Sequence, residues 1–171
     1  MRILLIQGAN MTHLGKRQPA IYGTTTAAEL DAMLQAHAAA KGCHLDIFYA
    51  NHEGAAIERV YAAAGGVAAG GVDRADGLLM NPAGFSYAGH ALRDCVTGSG
   101  LPYVEVHMSN VEARGIHSVL AQAAHGVIFG FGLQSYFLGL EAMLTMLARD
   151  AATVKSAGPV RSARSRVAAR R

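Results

Sequence analysis

Arg2-Ile3-Leu4-Leu5-Ile6-Gln7-Gly8 begins the chain with a short, continuous apolar run that ends at a glycine. A run of this length without polar alternation is typical of a strand that is covered on both faces of a parallel sheet. Further strands are predicted at 45–49, 78–80, 103–107 and 127–132. Segments of helical spacing separate them, which predicts an α/β fold: a doubly wound sheet of five parallel strands with helices on both faces.

The segments between the predicted strands carry helix signals. Thr24-Thr25-Thr26 offers caps for a helix that Gly42 ends. Further helices are predicted at 54–64, around 91–94 and at 136–147. Residues 65–72, Gly-Gly-Val-Ala-Ala-Gly-Gly-Val, predict a flexible surface loop and not a linker between domains.

Composition divides the chain into one domain and a tail. With 171 residues, 51% of them hydrophobic, the chain can bury one core, and we expect residues 1–150 to form a single domain. Residues 151–171 contain six of the 15 basic residues and none of the 12 acidic ones. Their simple composition predicts a basic, disordered tail, and their lack of aromatic residues argues against a nucleic-acid partner.

Cysteine usage and hydropathy indicate a compartment. Cys43 and Cys95 form no C-x-x-C motif, so neither a zinc site nor a disulfide framework is indicated. The apolar run at the start is too short for a signal peptide, and no stretch is long enough to cross a bilayer. We therefore expect a cytoplasmic protein without membrane contact.

Polar residues follow four of the predicted strands, where a doubly wound sheet binds its ligands. One site is therefore expected there. The residues concerned are Asn10, Asn51-His52-Glu53, Asn81 and His107-Met108-Ser109-Asn110.

Two pairs of residues near this edge can carry proton transfer. In the segment between Gly8 and Gly23, Arg17 precedes Tyr22, and a guanidinium favours the phenolate that a tyrosine needs to act as a base. The alternative is a packed ring and a solvated arginine. Glu105 and His107 lie two residues apart on a strand and so share a face, which suits a general acid but also a structural pair.

Other functions lack their motifs. The chain has no G-x-G-x-x-G fingerprint, and Gln7-Gly8-Ala9-Asn10-Met11-Thr12 supplies few of the hydroxyls that a flavin phosphate needs. Histidines are numerous, but none has a partner at familiar metal spacing, so no metal site is predicted.

A series of ordered blocks between residues 8 and 132 has a common family pattern. The blocks are Gly8-Ala9-Asn10, Leu14–Pro19, Ile21-Tyr22-Gly23, Asn51–Gly54, Asn81-Pro82-Ala83, Ala91–Asp94, Val104–Asn110 and Gly130-Phe131-Gly132. In this order they resemble the type II 3-dehydroquinate dehydratases over about residues 1–147. The resemblance implies a flavodoxin-like subunit that assembles as a dodecamer of four trimers and uses neither a metal nor an organic cofactor.

The resemblance also implies roles for individual residues. Tyr22, kept as phenolate by Arg17, removes the proton beside the substrate ketone. Asn10 helps to hold a water that stabilises the enolate, and His107, oriented by Glu105, protonates the departing hydroxyl. The expected substrate contacts are Asn81, Met108 and Ser109 at the carboxylate, together with Tyr87 and Asp94 at the hydroxyls. From its position alone Asp94 could equally face water.

The chain departs from the family pattern at two places where the family contacts the substrate ring. Tyr87 stands where the family has a histidine in its N-P-x-x-Y-T-H-x-S segment. Arg114 matches a family arginine, but the segment after it is three residues shorter and lacks the second arginine that contacts a ring hydroxyl. Dehydration of 3-dehydroquinate to 3-dehydroshikimate is the first expectation. The same elimination on a related hydroxylated cyclic keto acid, or a non-catalytic ligand-binding protein, are the alternatives.

Overall fold

The five predicted strands form one parallel sheet. A computed structural model describes residues 1–65 and 74–157, with strands β1 (Arg2–Ala9), β2 (His44–Tyr49), β3 (Gly77–Ala83), β4 (Tyr103–His107) and β5 (Gly126–Phe129). Their order is β2-β1-β3-β4-β5, and every neighbouring pair is parallel. The predicted fold class is confirmed, because this order is the flavodoxin-like one.

Helices cover both faces of the sheet. The chain forms α1 (Pro19–Tyr22), α2 (Ala27–Ala40), α3 (Glu53–Ala63), α4 (His90–Ser99) and α5 (Gln134–Ala157). Buried residues of α2 and α5 pack with one set of strand side chains, and those of α3 and α4 pack with the other set. Because strand side chains alternate, Ile3 and Leu5 of β1 belong to the first core and Leu4 and Ile6 to the second.

The helix α2 begins as its sequence predicts. The Thr26 hydroxyl accepts from the backbone N–H of Glu29, and the Glu29 carboxylate accepts from the backbone N–H of Thr26. This reciprocal capping box satisfies two donors that a helix start leaves free.

Some element bounds differ from the prediction. The last helix continues to Ala157, so residues 151–157 are helical and not part of a disordered tail. Alanine-rich sequence favours this extension, since no proline interrupts residues 134–158. The last strand ends at Phe129, because Gly130 and Gly132 adopt positive φ angles of 92° and 58°. Residues 66–72 of the predicted 65–72 loop and the tail beyond 157 lie outside the described residues.

The segment between β1 and α2 is ordered by short helical turns. Asn10 starts the first turn with a φ of 75°, and Gln18 starts α1 with a φ of 44°. Pro19 occupies the first turn of α1, where its fixed φ suits a helix and its missing N–H costs nothing. Tyr22 therefore stands at the end of a short helix beside the sheet edge. No helix in residues 1–65 and 74–157 has the length and apolar character needed to cross a membrane.

Candidate active site

A cavity opens at the carboxyl ends of β1, β3 and β4, as the fold class predicts. It contains about 650 Å³ of empty space, part of it open to solvent. It brings together eight of the ten predicted site residues. They are Asn10, Arg17, Tyr22, Asn81, Tyr87, His107, Met108 and Ser109.

His107 lies at the cavity with Glu105 behind it. The His107 Nε2 and Glu105 Oε1 are 2.6 Å apart, and both side chains are buried. The predicted common face of these two residues is confirmed, because both follow the alternation of β4. Because Glu105 occupies Nε2, Nδ1 is the ring nitrogen of His107 that can act on a ligand in the cavity. Nδ1 has no hydrogen-bond partner among the described residues.

Glu105 has a second partner that the sequence did not indicate. The Tyr103 hydroxyl donates to Glu105 Oε2 at 2.7 Å, so each carboxylate oxygen makes one hydrogen bond. Burial, together with the neighbouring Glu105 charge, raises the pKa of the Tyr103 hydroxyl well above its ordinary value. Tyr103 is therefore a permanently protonated donor, and Glu105 is held on both sides.

Two arginines surround Tyr22, and the closer one was not predicted. Arg114 Nη1 donates to the Tyr22 hydroxyl at 3.1 Å and to Ser109 Oγ at 2.7 Å. Arg17 makes no hydrogen bond to the phenol, and its guanidinium carbon lies 6.0 Å from the ring centroid. Arg114 thus reaches the phenol oxygen while Arg17 lies beside the ring, and the activation of Tyr22 by Arg17 stays a prediction.

Asn81 forms part of the cavity floor with its amide orientation fixed. Its Oδ1 accepts from the backbone N–H of Ala83 at 3.1 Å, and its Nδ2 donates to the Tyr136 hydroxyl at 2.7 Å. Tyr136 in turn donates to Gln7 Oε1 at 2.7 Å. The remaining Nδ2 hydrogen points to Met11 Sδ at 3.6 Å, which is a weak acceptor that a ligand oxygen can replace.

Asn10 enters the cavity from the end of β1. Its positive φ turns the chain sharply after the strand, and its backbone N–H donates to Asn51 Oδ1 at 2.8 Å. Asn51 follows β2, so this bond ties together the ends of two neighbouring strands. The Asn10 side chain is thereby positioned at the cavity without a cap bond of its own.

The two predicted contacts to substrate hydroxyls differ in position. Tyr87 lines the cavity rim, where 64% of its surface is exposed. Asp94 lies exposed on α4, near Tyr61 of α3, and does not line the cavity. Asp94 therefore makes no contact at this cavity in a single chain, and its contact with a substrate hydroxyl stays a prediction.

The cavity also contains residues that sequence reasoning did not assign to it. Arg114 has the clearest role among them, and its sequence signal is its match to a family arginine, seven residues after His107. Ser86 and Met11 line the cavity without such a signal. No cluster of three or more His, Cys, Asp or Glu that could hold a metal occurs in residues 1–65 and 74–157.

Comparison with known proteins agrees with this arrangement. Residues 1–144 match the family Dehydroquinase class II. The chain is 43% identical over 142 residues to catabolic 3-dehydroquinase 1 of Neosartorya fischeri, which covers 81% of this chain and 89% of that protein. It is 41% identical over 154 residues to 3-dehydroquinate dehydratase of a Synechococcus species, covering 88% and 100%.

A solved structure shows the same fold. The type II dehydroquinase from Butyrivibrio crossotus superposes with a TM-score of 0.75 at 32% identity, over 84% of this chain and 97% of that one. The family match covers residues 1–144, which include all five strands and the residues that line the cavity. The chain therefore belongs to the class II dehydroquinase family.

Proposed function

We propose that this chain catalyses the dehydration of 3-dehydroquinate to 3-dehydroshikimate by an anti elimination through an enolate. The observation that carries the proposal is the meeting of two proton-transfer pairs at one cavity. These are Tyr22 with Arg114 and His107 with Glu105. The names of the similar proteins support the choice of substrate.

Tyr22 is the base of the first step. A phenol is protonated in neutral water, but a guanidinium that donates to its oxygen stabilises the phenolate. Arg114 makes that bond, and Arg17 adds positive charge near the ring. The Tyr22 phenolate removes a proton from the ring carbon beside the ketone, and the electron pair of the broken C–H bond passes to the ketone oxygen as an enolate.

His107 is the acid of the second step. The enolate collapses to a conjugated enone as the C–O bond to the departing hydroxyl breaks. The imidazolium of His107 gives its proton to that oxygen, which leaves as water. Glu105 supports the charged imidazole through the 2.6 Å bond at Nε2. The proton taken by Tyr22 and the proton lost by His107 balance, and the reaction involves no change of oxidation state overall.

The enolate and the substrate carboxylate need separate partners. Asn10 is at the cavity and can hold the water that stabilises the enolate oxygen. Asn81 and the backbone N–H groups of Met108 and Ser109 are placed to bind the carboxylate. Their position at the ends of β3 and β4 suits an anion, because the backbone N–H groups after a strand end are free to donate.

The departures from the family pattern at Tyr87 and after Arg114 do not change the proposed substrate. Relatives that are 41% and 43% identical to the chain are named for 3-dehydroquinate. A related hydroxylated keto acid or a non-catalytic role is therefore not favoured. Tyr87 lies at the rim and can supply a hydroxyl partner in place of the family's histidine.

We expect a homo-oligomer, the dodecamer of four trimers that the resemblance implies, and a predicted role for Asp94 at a cavity would require a second copy of the chain. We also expect a cytoplasmic enzyme. Cys43 and Cys95 are free, buried and in different cores, which suits a reducing compartment.

The decisive experiment follows enone absorbance when the purified protein meets 3-dehydroquinate. Tyr22→Phe should lose turnover, because no phenolate remains. Tyr61→Phe is the matched control, since it removes a hydroxyl from an exposed residue of α3 away from the cavity. An unmodified chain that fails to form enone would refute the proposed activity. Full turnover by Tyr22→Phe would instead refute the assigned base.

A further inference from the structure

Two fully buried tyrosines stand behind the cavity on opposite faces of the sheet. Tyr136 of α5 belongs to the core shared with α2, and Tyr103 of β4 belongs to the core shared with α3 and α4. Each has 0% exposed surface, and neither lines the cavity. Each nevertheless makes a hydrogen bond to a residue of the proposed mechanism or to its immediate support.

Tyr136 connects β1 to β3 beneath Asn81. Gln7 and Asn81 are register partners on neighbouring strands, so their side chains share the face that α5 covers. The donor directions are fixed, because Ala83 N–H marks Asn81 Oδ1 as the acceptor end of the amide. Asn81 Nδ2 then donates to Tyr136, and Tyr136 donates to Gln7 Oε1.

This chain of bonds is unusual for a hydrophobic core. Gln7 is 0% exposed, and its Nε2 has no hydrogen-bond partner among the described residues. Gln7 enters this series of bonds through its oxygen, which accepts from Tyr136. Burial raises the pKa of Tyr136 above its ordinary value. The tyrosine is therefore a neutral donor that keeps Gln7 as its acceptor.

The result is an Asn81 amide with one hydrogen committed and one available. One Nδ2 hydrogen of Asn81 is donated to the Tyr136 hydroxyl, and the other points to the Met11 sulfur in the cavity wall. A carboxylate oxygen is a far stronger acceptor than a thioether. Without the Tyr136 hydroxyl, the amide would keep the Ala83 bond but lose the second bond that fixes its orientation.

Tyr103 acts on the other half of the site in the same way. Its hydroxyl donates to Glu105 Oε2, and His107 Nε2 is hydrogen-bonded to Glu105 Oε1. Glu105 is 0% exposed, so no solvent can replace a missing donor on Oε2. With both oxygens bonded, the carboxylate plane is set, and with it the ring orientation of His107.

We infer that Tyr136 and Tyr103 are positioning residues with separate tasks: Tyr136 orients Asn81 for the substrate carboxylate, and Tyr103 orients the Glu105–His107 pair for proton donation. Because the two hydroxyls lie on opposite sheet faces and share no partner, their removal should affect different kinetic constants. The inference rests on the proposed dehydratase activity.

The experiment compares Tyr136→Phe with Tyr103→Phe in the full chain, and each variant serves as the matched control for the other. Tyr136→Phe should raise KM for 3-dehydroquinate about tenfold and leave kcat within about twofold, as expected for one lost hydrogen bond in binding. Tyr103→Phe should lower kcat about tenfold and leave KM within about twofold. Calorimetric binding of 3-dehydroshikimate should weaken in Tyr136→Phe only.

Other outcomes overturn the inference. Equal changes of KM and kcat in both variants would show that the hydroxyls stabilise the core only, and so would a loss of folding detected by circular dichroism. Gln7→Met gives a second test of whether Tyr136 orients Asn81, because it removes the acceptor of the Tyr136 hydroxyl. This variant should also raise KM. An unmodified chain without turnover would refute the proposed function itself, whereas an active chain with unchanged variants would refute only this inference.

Discussion

Replacing Arg114 should damage turnover far more than replacing Arg17, although only Arg17 was predicted to activate Tyr22. Arg114 donates to the phenol oxygen at 3.1 Å, whereas Arg17 lies 6.0 Å from the ring centroid without a bond to the oxygen. A hydrogen bond to a charged group contributes about 1.5–3 kcal/mol. Because about 1.4 kcal/mol corresponds to a factor of ten in rate, Arg114→Ala should lower kcat/KM roughly 10–150-fold.

The smaller effect is expected from Arg17→Ala. An exposed cation near an aromatic ring contributes about 0.5–1 kcal/mol, which corresponds to a loss of roughly two- to fivefold. Both variants would be assayed by enone absorbance with 3-dehydroquinate at one pH near neutrality. Ser109→Ala is a useful companion, because it removes the other bond of Arg114 and leaves the phenol contact in place. A larger loss in Arg17→Ala than in Arg114→Ala would refute this reading of the geometry.

Three further outcomes are expected. Glu105→Gln should lower kcat roughly 10²-fold, measured by the same absorbance assay, because a neutral amide cannot support a charged imidazole; unchanged turnover would argue against the pair. Gly139→Ala should lose about 1–3 kcal/mol of stability in thermal unfolding, since its new Cβ would overlap side chains of β3 and β4. The helical control Gly98→Ala has its nearest neighbour at 3.7 Å and should be neutral or gain up to about 1 kcal/mol; a comparable loss there would contradict the overlap argument. The Lys41 hydrogen bond lowers the pKa of Glu141 below its ordinary 4.5, so this ion pair adds stability above that pH and loses it as the pH falls through the lowered value. The melting temperature of Lys41→Ala should therefore lie below that of the unmodified chain at about pH 6, and the gap should close by about pH 3; a gap that persists would exclude the ion pair as its cause.

The alternation of side chains along a strand was the most reliable predictor of the site. Two residues separated by one on a strand must share a face, so the meeting of Glu105 with His107 required nothing beyond recognition of β4. The location of the cavity followed in the same way, because parallel strands bring their carboxyl ends to one edge. These inferences depend on backbone geometry that is local or common to the fold class.

Contacts between distant segments could not be predicted in this manner. Tyr22 and Arg114 are 92 residues apart in sequence, and which arginine reaches the phenol depends on how α1 packs against the turn after β4. The helix position of Asp94 was predicted, but its direction depends on the packing of α4 against α3. Sequence spacing gives neither result.

By itself, the sequence determined the parallel α/β fold, the edge of the sheet that holds the site and most of the residues around it. The hydrophobic runs, the turns and the two-residue period of strands are local properties, and local properties can be read from a chain. Only the tertiary structure decided that Arg114 bonds to Tyr22, that Asp94 lies outside the cavity, and that Tyr136 stands behind Asn81. Those contacts depend on side-chain directions across packed elements, where a rotation of one helix exchanges one partner for another.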